Sequence, residues 1–227
     1  VTDPLVLSFD LDDTLWPVGP VIAAAEDALL AWLRAHHPET VNAHDMESLR
    51  ALRAAVTHRY PERGHDLTFL RHRALKDLFL AAGRTDAVAE ARADEGLEVF
   101  LGQRNRVQFY ADVRPELTRL RLRYRLFALS NGNADLARCG IADLFDGHIT
   151  AGAAGAAKPD ARIFAALVAK ARVPASQVLH IGDDPLADVV GATGAGMQAV
   201  WLNRDAKRWP ESLAPPARTI STLAEIS

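Results

Sequence analysis

A short apolar run, Leu5-Val6-Leu7-Ser8-Phe9, stops at Asp10-Leu11-Asp12-Asp13-Thr14, three aspartates in four positions. The length and the large or β-branched side chains of the run predict a buried strand. The next hundred residues have a different character. Segments 21–36, 45–58, 68–82 and 86–101 space Leu, Ala, Val and Phe at helical intervals and are rich in Ala, Leu, Arg and Glu, all strong helix formers. Pro38, Pro61-Glu62-Arg63-Gly64 and Gly83 punctuate them. From about Val113 short strands alternate with helices: strands at 125–129, 148–150, 177–181 and 198–202, helices at 134–139, 161–171 and 185–194. Gly140 stops the first of these helices, and the Gly/Ala-rich stretch 151–157 reads as a mobile loop. Strands separated by helices of this length imply βαβ units and a mostly parallel sheet.

The first strand then belongs to the same sheet as the second half, with an all-helical segment inserted between them. The predicted fold is α/β: a Rossmann-like doubly wound parallel sheet core, residues 1–16 and 108–227, with a helical cap domain, residues 17–107. Two linkers, at 14–19 and 102–112, are expected to act as hinges.

Composition narrows the function classes. Of 227 residues, 49% are hydrophobic and 24% charged, the balance of a globular protein able to bury a core without disulfides. The lone cysteine, Cys139, reads as a packing residue. A net charge of −3 without a long basic run argues against nucleic acid as a partner. No stretch nears the roughly 20 apolar residues of a membrane span, and no signal-peptide pattern opens the sequence. The expectation is a cytoplasmic protein, a monomer or homodimer.

In a doubly wound sheet, ligands bind at the carboxyl ends of the strands. Four polar clusters fall at predicted strand ends: Asp10-Leu11-Asp12-Asp13-Thr14-Leu15, Ser130-Asn131-Gly132-Asn133, Lys158-Pro159-Asp160, and Gly182-Asp183-Asp184-Pro185-Leu186-Ala187-Asp188. Singly, each has an ordinary reading. An aspartate after a strand is usually a turn residue or a helix cap. Ser-Asn-Gly-Asn is a good turn with a cap at Asn133, and a lysine before a proline is commonly a solvated loop residue. All four in one order are much harder to dismiss.

In that order the clusters resemble the motifs of the haloacid dehalogenase-like hydrolase superfamily: its hhhhDxDxT signature, its strand-end Ser/Thr, its Lys and its acidic GDxxxxD. The helical insert resembles that family's cap. The resemblance implies a Mg²⁺-dependent phosphatase acting on a small phosphorylated metabolite. Asp10 is expected as the nucleophile that forms an aspartyl-phosphate. Asp12 is expected to protonate the leaving alkoxide and then deprotonate the attacking water. Ser130 and Lys158 join them as catalytic residues, and Ser130, Asn131 and Lys158 bind the phosphoryl oxygens. The expected metal residues are Asp10, Asp183, the backbone carbonyl of Asp12, and Asp188 acting through water. Asp184 competes with Asp188 for that last role and is otherwise a helix cap. Asp13 and Thr14 are expected to shape the turn, Thr14 by bonding backbone. His180 reads as structural.

These residue types suit the chemistry without the family name. A phosphate dianion repels an incoming carboxylate, so charge must be cancelled before attack, and Mg²⁺ prefers about six oxygen ligands. In-line transfer then rests on positioning and neutralisation. In the cap, the polar stretch 65–73, above all Arg71 and Arg73, with Arg104 and Arg106, is a candidate source of substrate-binding cations, although a solvated helix face explains it equally. The full pattern resembles a bacterial subgroup acting on flavin mononucleotide (FMN) and 5-amino-6-(5-phospho-D-ribitylamino)uracil. Three rivals remain. A 2-haloacid dehalogenase would need no leaving-group acid, a phosphomutase would share every core motif, and a non-catalytic binding protein would be expected to lose at least one of the motif residues.

Overall fold

The computed structural model describes residues 4–41 and 44–226. Residues 1–3 and 227 of the predicted core, and 42 and 43 of the predicted cap, lie outside the described residues. Chain contacts divide the molecule into two compact units, one running from Val18 to Val107 and the other joining the residues up to Pro17 with those from Gln108 onward. Among the described residues no helix is long and apolar enough to cross a membrane.

The first unit is helical: α1 (Val18–His36), a short α2 (Pro38–Val41), α3 (Met46–Arg59), α4 (Leu67–Ala81) and α5 (Asp86–Arg104). Its core follows from helical spacing. Ala25, Leu29 and Leu33 lie on one stripe of α1, and Leu75, Leu78 and Phe79 of α4 pack with Leu29 and Leu33. Small residues, Ala89, Ala93 and Gly96, line the buried face of α5 and let it approach both α1 and α4. At Gly96 a Cβ would sit 3.1 Å from the Trp32 ring and 3.3 Å from Leu75, so the close approach needs the missing side chain.

The second unit holds a six-stranded parallel sheet in the order β3-β2-β1-β4-β5-β6. Its strands are β1 (Val6–Phe9), β2 (Arg125–Ser130), β3 (Gly147–Thr150), β4 (Val178–Gly182), β5 (Gln198–Leu202) and β6 (Thr219–Ile220). β1 is buried throughout and β2 nearly so, as strands covered on both faces are. α6 (Val113–Arg121) precedes β2, α7 (Ala151–Ala154) follows β3, and α8 (Ala161–Ala171) leads towards β4. Ile163, Phe164, Leu167 and Ala171 of α8 pack with Phe127, Leu129 and Ile149 of the sheet. The chain runs outward from β1 through β2 to β3, then returns to β4 on the other side of β1. The paired strands β1 and β4 therefore flank the point where connections diverge, which is where doubly wound sheets bind ligands.

Several local expectations need correction. Residues 134–139 do not form a helix. Asp135 Oδ1 accepts from the N–H groups of Ala137 and Arg138 (2.8 and 3.2 Å), and Gly140, at φ +74°, ends the segment after little more than one turn. The stretch 151–157 is not a loose loop. Thr150 caps α7, Gly155 ends it in the left-handed region, and Ala151 and Ala156 are buried. The predicted helix 185–194 is instead a wide π-helical turn, Pro185–Val190, followed by one α-helical turn, α9 (Gly191–Gly194). α6 and β6 had no sequence prediction.

Candidate active site

β1 and β4 pair with Phe9 opposite Ile181, and the Asp10 N–H donates to Ile181 O at 2.9 Å, carrying the ladder one residue past the strand. Asp10 and Asp183 thus emerge side by side from the two strands at the switch point. β2 lies on the other side of β1 and ends at Ser130. A cleft of about 210 Å³ is lined by Asp10, Asp12, Asp13, Ser130, Asn131, Gly132, Lys158, Asp183, Asp184 and Asp188, with Ala187. All four polar clusters read from the sequence contribute to it. Such a volume is below that of a pocket enclosing a whole drug-sized ligand, about 300–1,000 Å³, so the cleft suits one small charged group.

Lys158 is the centre of the charge arrangement. Its Nζ donates to Asp10 Oδ1 at 2.6 Å and to Asp188 Oδ1 at 2.5 Å, and the side chains of all three are at least 90% buried. Burial alone would lower the lysine pKa, but the two carboxylates outweigh it and hold the ammonium charged. Burial pushes the Asp10 carboxyl well up against the pull of Lys158, and Asp188 and Asp183 add to the rise. Asp188 goes the other way: Lys158 and His180 overcome the burial cost and hold it below the usual carboxylate range. Asp183 is pushed up to about 6 by burial, then by Asp188 and Asp13.

Three carboxylates converge here, Asp10, Asp183 and Asp188, each offering an oxygen within 4.8 Å of the others, and the Lys158 ammonium bonds two of them. Burial, with the neighbouring carboxylates adding to it, raises the pKa of Asp10 and of Asp183, and a cation would favour their charged forms. The donors are hard oxygens, which suit Mg²⁺ or a similar divalent ion. Asp188 is already committed. Its Oδ1 accepts from Lys158 and His180, and its Oδ2 accepts the Asp184 N–H at 2.9 Å. Asp10 and Asp183 are the carboxylates better placed to hold an ion directly.

The remaining residues are fixed by their neighbours. Asn131 brackets the Lys158 backbone, Nδ2 donating to Lys158 O (3.0 Å) and Oδ1 accepting from Lys158 N–H (2.7 Å). Ser130 Oγ accepts the Gly132 N–H at 2.9 Å, which closes a tight turn at the end of β2. Asp184 caps the π-helical turn, its Oδ1 accepting from the N–H groups of Leu186 and Ala187, and Asp188 faces inward one turn later. Thr14, expected to bond backbone, donates instead to Asp183 Oδ1 at 3.2 Å, because β1 and β4 are neighbours and their ends bring the two residues together. Asp13 makes that turn in the left-handed region, φ 59°, which a short polar side chain tolerates. Arg71 and Arg73 lie in the helical unit. Arg71 stacks on Phe100 with 3.4 Å from Cζ to the ring centroid, and Arg73 Nε pairs with Asp77 at 3.0 Å.

Three participants escaped the sequence. Trp16 donates its indole N–H to Asp12 Oδ1 at 2.8 Å. Trp201 donates to the backbone oxygen of Asp183 at 2.8 Å. Ser8 reaches Asp188 through His180. A polar Ser8 and His180 inside apolar strands were visible, but nothing in the sequence distinguished the two tryptophans from core.

The comparisons agree with this geometry. A family model described as haloacid dehalogenase-like hydrolase matches residues 5–196. The 5-amino-6-(5-phospho-D-ribitylamino)uracil phosphatase YigB of Escherichia coli (strain K12) is 35% identical, over 97% of this chain and 94% of its own. A phosphoserine phosphatase of Thermus thermophilus is 32% identical over 69% of this chain and 63% of its own. A crystal structure described as a 2-haloacid dehalogenase, from Pseudomonas syringae pv. Tomato DC3000, matches with a TM-score of 0.90 and 38% identity, covering 97% of this chain and 95% of that one. With the matched family model spanning most of its length and all four motif clusters in one cleft, this chain belongs to the haloacid dehalogenase-like hydrolase family.

Proposed function

We propose that the protein is a Mg²⁺-dependent phosphatase that hydrolyses small phosphate monoesters through an aspartyl-phosphate on Asp10. The observation that carries the proposal is the pairing of Asp10 and Asp12 at the end of β1, with the Lys158 ammonium 2.6 Å from the Asp10 carboxylate. One carboxylate can attack while the other handles protons.

An Asp10 oxygen attacks phosphorus in line as the ester P–O bond breaks, and Asp12 gives its proton to the departing alkoxide. Water, losing a proton to Asp12, then attacks the phosphorus of the aspartyl-phosphate, whose bond to Asp10 breaks to release phosphate. Lys158 steadies both the Asp10 carboxylate and the phosphoryl oxygens, and Ser130 hydrogen-bonds the latter. The Asn131 bracket keeps the Lys158 backbone from shifting. Mg²⁺, held by Asp10, Asp183 and the Asp12 carbonyl with Asp188 behind them, would cancel phosphoryl charge that otherwise repels the nucleophile.

The substrate follows the relative that spans nearly the whole chain. 5-Amino-6-(5-phospho-D-ribitylamino)uracil and FMN both carry a primary phosphate on a ribityl chain. The helical segment 17–107 is proposed as the cap that selects among esters. Arg71 is its better substrate-binding candidate, because Arg73 already has a carboxylate partner. Similarity to the Pseudomonas syringae protein favours a second reading, 2-haloacid dehalogenase. That reaction has no alkoxide to protonate, so it leaves Asp12 and the Asp183 cluster without a task.

The test is a panel of phosphate esters with Mg²⁺ and with chelator, run beside 2-haloacids. Phosphate release that depends on Mg²⁺, led by a ribityl phosphate, is expected. Halide release without phosphate release would overturn the reading in favour of dehalogenation.

A further inference from the structure

The cluster around Lys158 rests on a buried polar pair that the reaction does not itself use. β1 and β4 are apolar strands except at Ser8 and His180, which lie opposite each other in the register and are both 0% exposed. His180 Nδ1 is 3.0 Å from Ser8 Oγ, and its Nε2 is 3.1 Å from Asp188 Oδ1. Phe164 closes the imidazole in edge-on, at 5.9 Å between centroids. Two apolar residues in these places would avoid the cost of burying polar groups, so the pair calls for a reason.

Geometry gives the ring one orientation. An ionised Asp188 can only accept, so the hydrogen between it and His180 belongs to Nε2. In a neutral ring Nδ1 then carries the lone pair and accepts the Ser8 hydroxyl. Asp188 is thereby held at three points: Oδ1 by His180 and Lys158, and Oδ2 by the Asp184 N–H. Below it there is no slack, since a Cβ on Gly182 would lie 2.2 Å from Asp188 Cγ. Lys158 spends two of its three N–H groups on Asp10 and Asp188. The rotation of the Asp188 carboxylate therefore decides where the third one points.

We propose that His180, itself oriented by Ser8, is a positioning residue that fixes the Asp188 carboxylate and through it aims the Lys158 ammonium at the phosphoryl group. The imidazole touches neither substrate nor metal in this role. The proposal rests on the phosphatase reading above, and its test is arranged so that the two can fail separately.

The experiment is a double-mutant cycle of His180→Leu with Asp188→Asn, with His180→Gln as the conservative variant, reading kcat, KM and Tm. His180→Leu is expected to lower kcat roughly 10–100-fold, the usual effect of removing a partner that orients an active-site ligand, with KM little changed. His180→Gln, which still presents an N–H near the Nε2 position, should recover most of that loss. In the Asp188→Asn background the further effect of His180→Leu should shrink to about twofold or less, since coupled residues are not additive. Full multiplicativity, or a Gln variant as impaired as the Leu variant, would overturn the proposal. So would wild-type kcat in His180→Leu.

Nitrogen-resolved NMR of the imidazole in the wild-type protein provides a readout that needs neither turnover nor a folded variant. The Nε2–H tautomer is required, and an Nδ1–H ring sinks the proposal. If the wild type cleaves 2-haloacids and no phosphate ester, the phosphatase reading falls, and the same cycle read on halide release still decides whether His180 acts through Asp188.

Discussion

Asp12 accepts a hydrogen bond from Trp16, a tie that its assigned role must accommodate. Trp16 is fully buried, with Phe109 edge-on at 5.6 Å, so the indole is a rigid donor. Trp16→Phe keeps an aromatic ring in the core but removes the N–H together with part of the indole. It should lower stability by at least about 0.5–1.5 kcal/mol, the net worth of a typical hydrogen bond. Turnover should fall about tenfold, as a general acid–base loses part of its positioning. Urea unfolding and steady-state kinetics check both, and unchanged turnover would show that Asp12 does not need the indole. At this scale the sequence was informative about residue type and silent about pairing. Asp10 and Asp183 were legible because each follows a strand, and Lys158 because of its place in the order of the four clusters. Trp16 and Trp201 were not, because an indole that donates to a site residue has the same composition and spacing as one that fills a core. His180 was read as structural, and its link to Asp188 shows only when the π-helical turn folds back over β4.

The β4–turn–α9 element shows how local backbone sets the site. Gly182 ends the strand, Asp184 caps the turn, and the wide turn brings Asp188 to 1% exposure beside Lys158. The sequence predicts a regular helix over 185–194. The wider turn depends on burying a single carboxylate, which periodicity does not encode, and such π turns occur often at functional sites. The same limit applies at 134–139, where Asp135 and Gly140 leave room for little more than one turn. By contrast, the long helices of the insert were legible because their periodicity persists over many residues, and the buried strands because each is a short run of large or β-branched apolar residues. Gly182→Ala tests the element. Its Cβ must displace Asp188, and a misplacement of about 1 Å can cost roughly 100-fold in rate. We expect a loss of that order in kcat, with overpacking costing about 1–3 kcal/mol of stability. Wild-type kinetics in this variant would mean that Asp188 can move without consequence.

For the molecule as a whole, the charge excess in the cleft links stability, pH and metal. Asp183 titrates near 6, above its ordinary range, because burial and its acidic neighbours disfavour the charged form. The folded protein thus holds that proton more tightly than the unfolded chain. Its contribution to stability is full below the unfolded pKa of about 4 and is lost as pH rises through about 6. On the proposed function, a divalent ion at Asp183 takes the place of the proton. The gain in Tm from Mg²⁺ should therefore be small near about pH 5 and grow to several degrees by about pH 7.5. A gain equal at both pH values would argue against Asp183 as a ligand. The most direct test of the central claim is rapid-quench kinetics of the wild-type enzyme on the ester it hydrolyses best, with peptide mapping of the enzyme acid-quenched during the burst. The expected result is an alcohol burst stoichiometric with enzyme ahead of phosphate, and a phosphoryl group on the peptide containing Asp10. Alcohol and phosphate appearing in step, with that peptide unmodified, would contradict the account and point to direct attack by water.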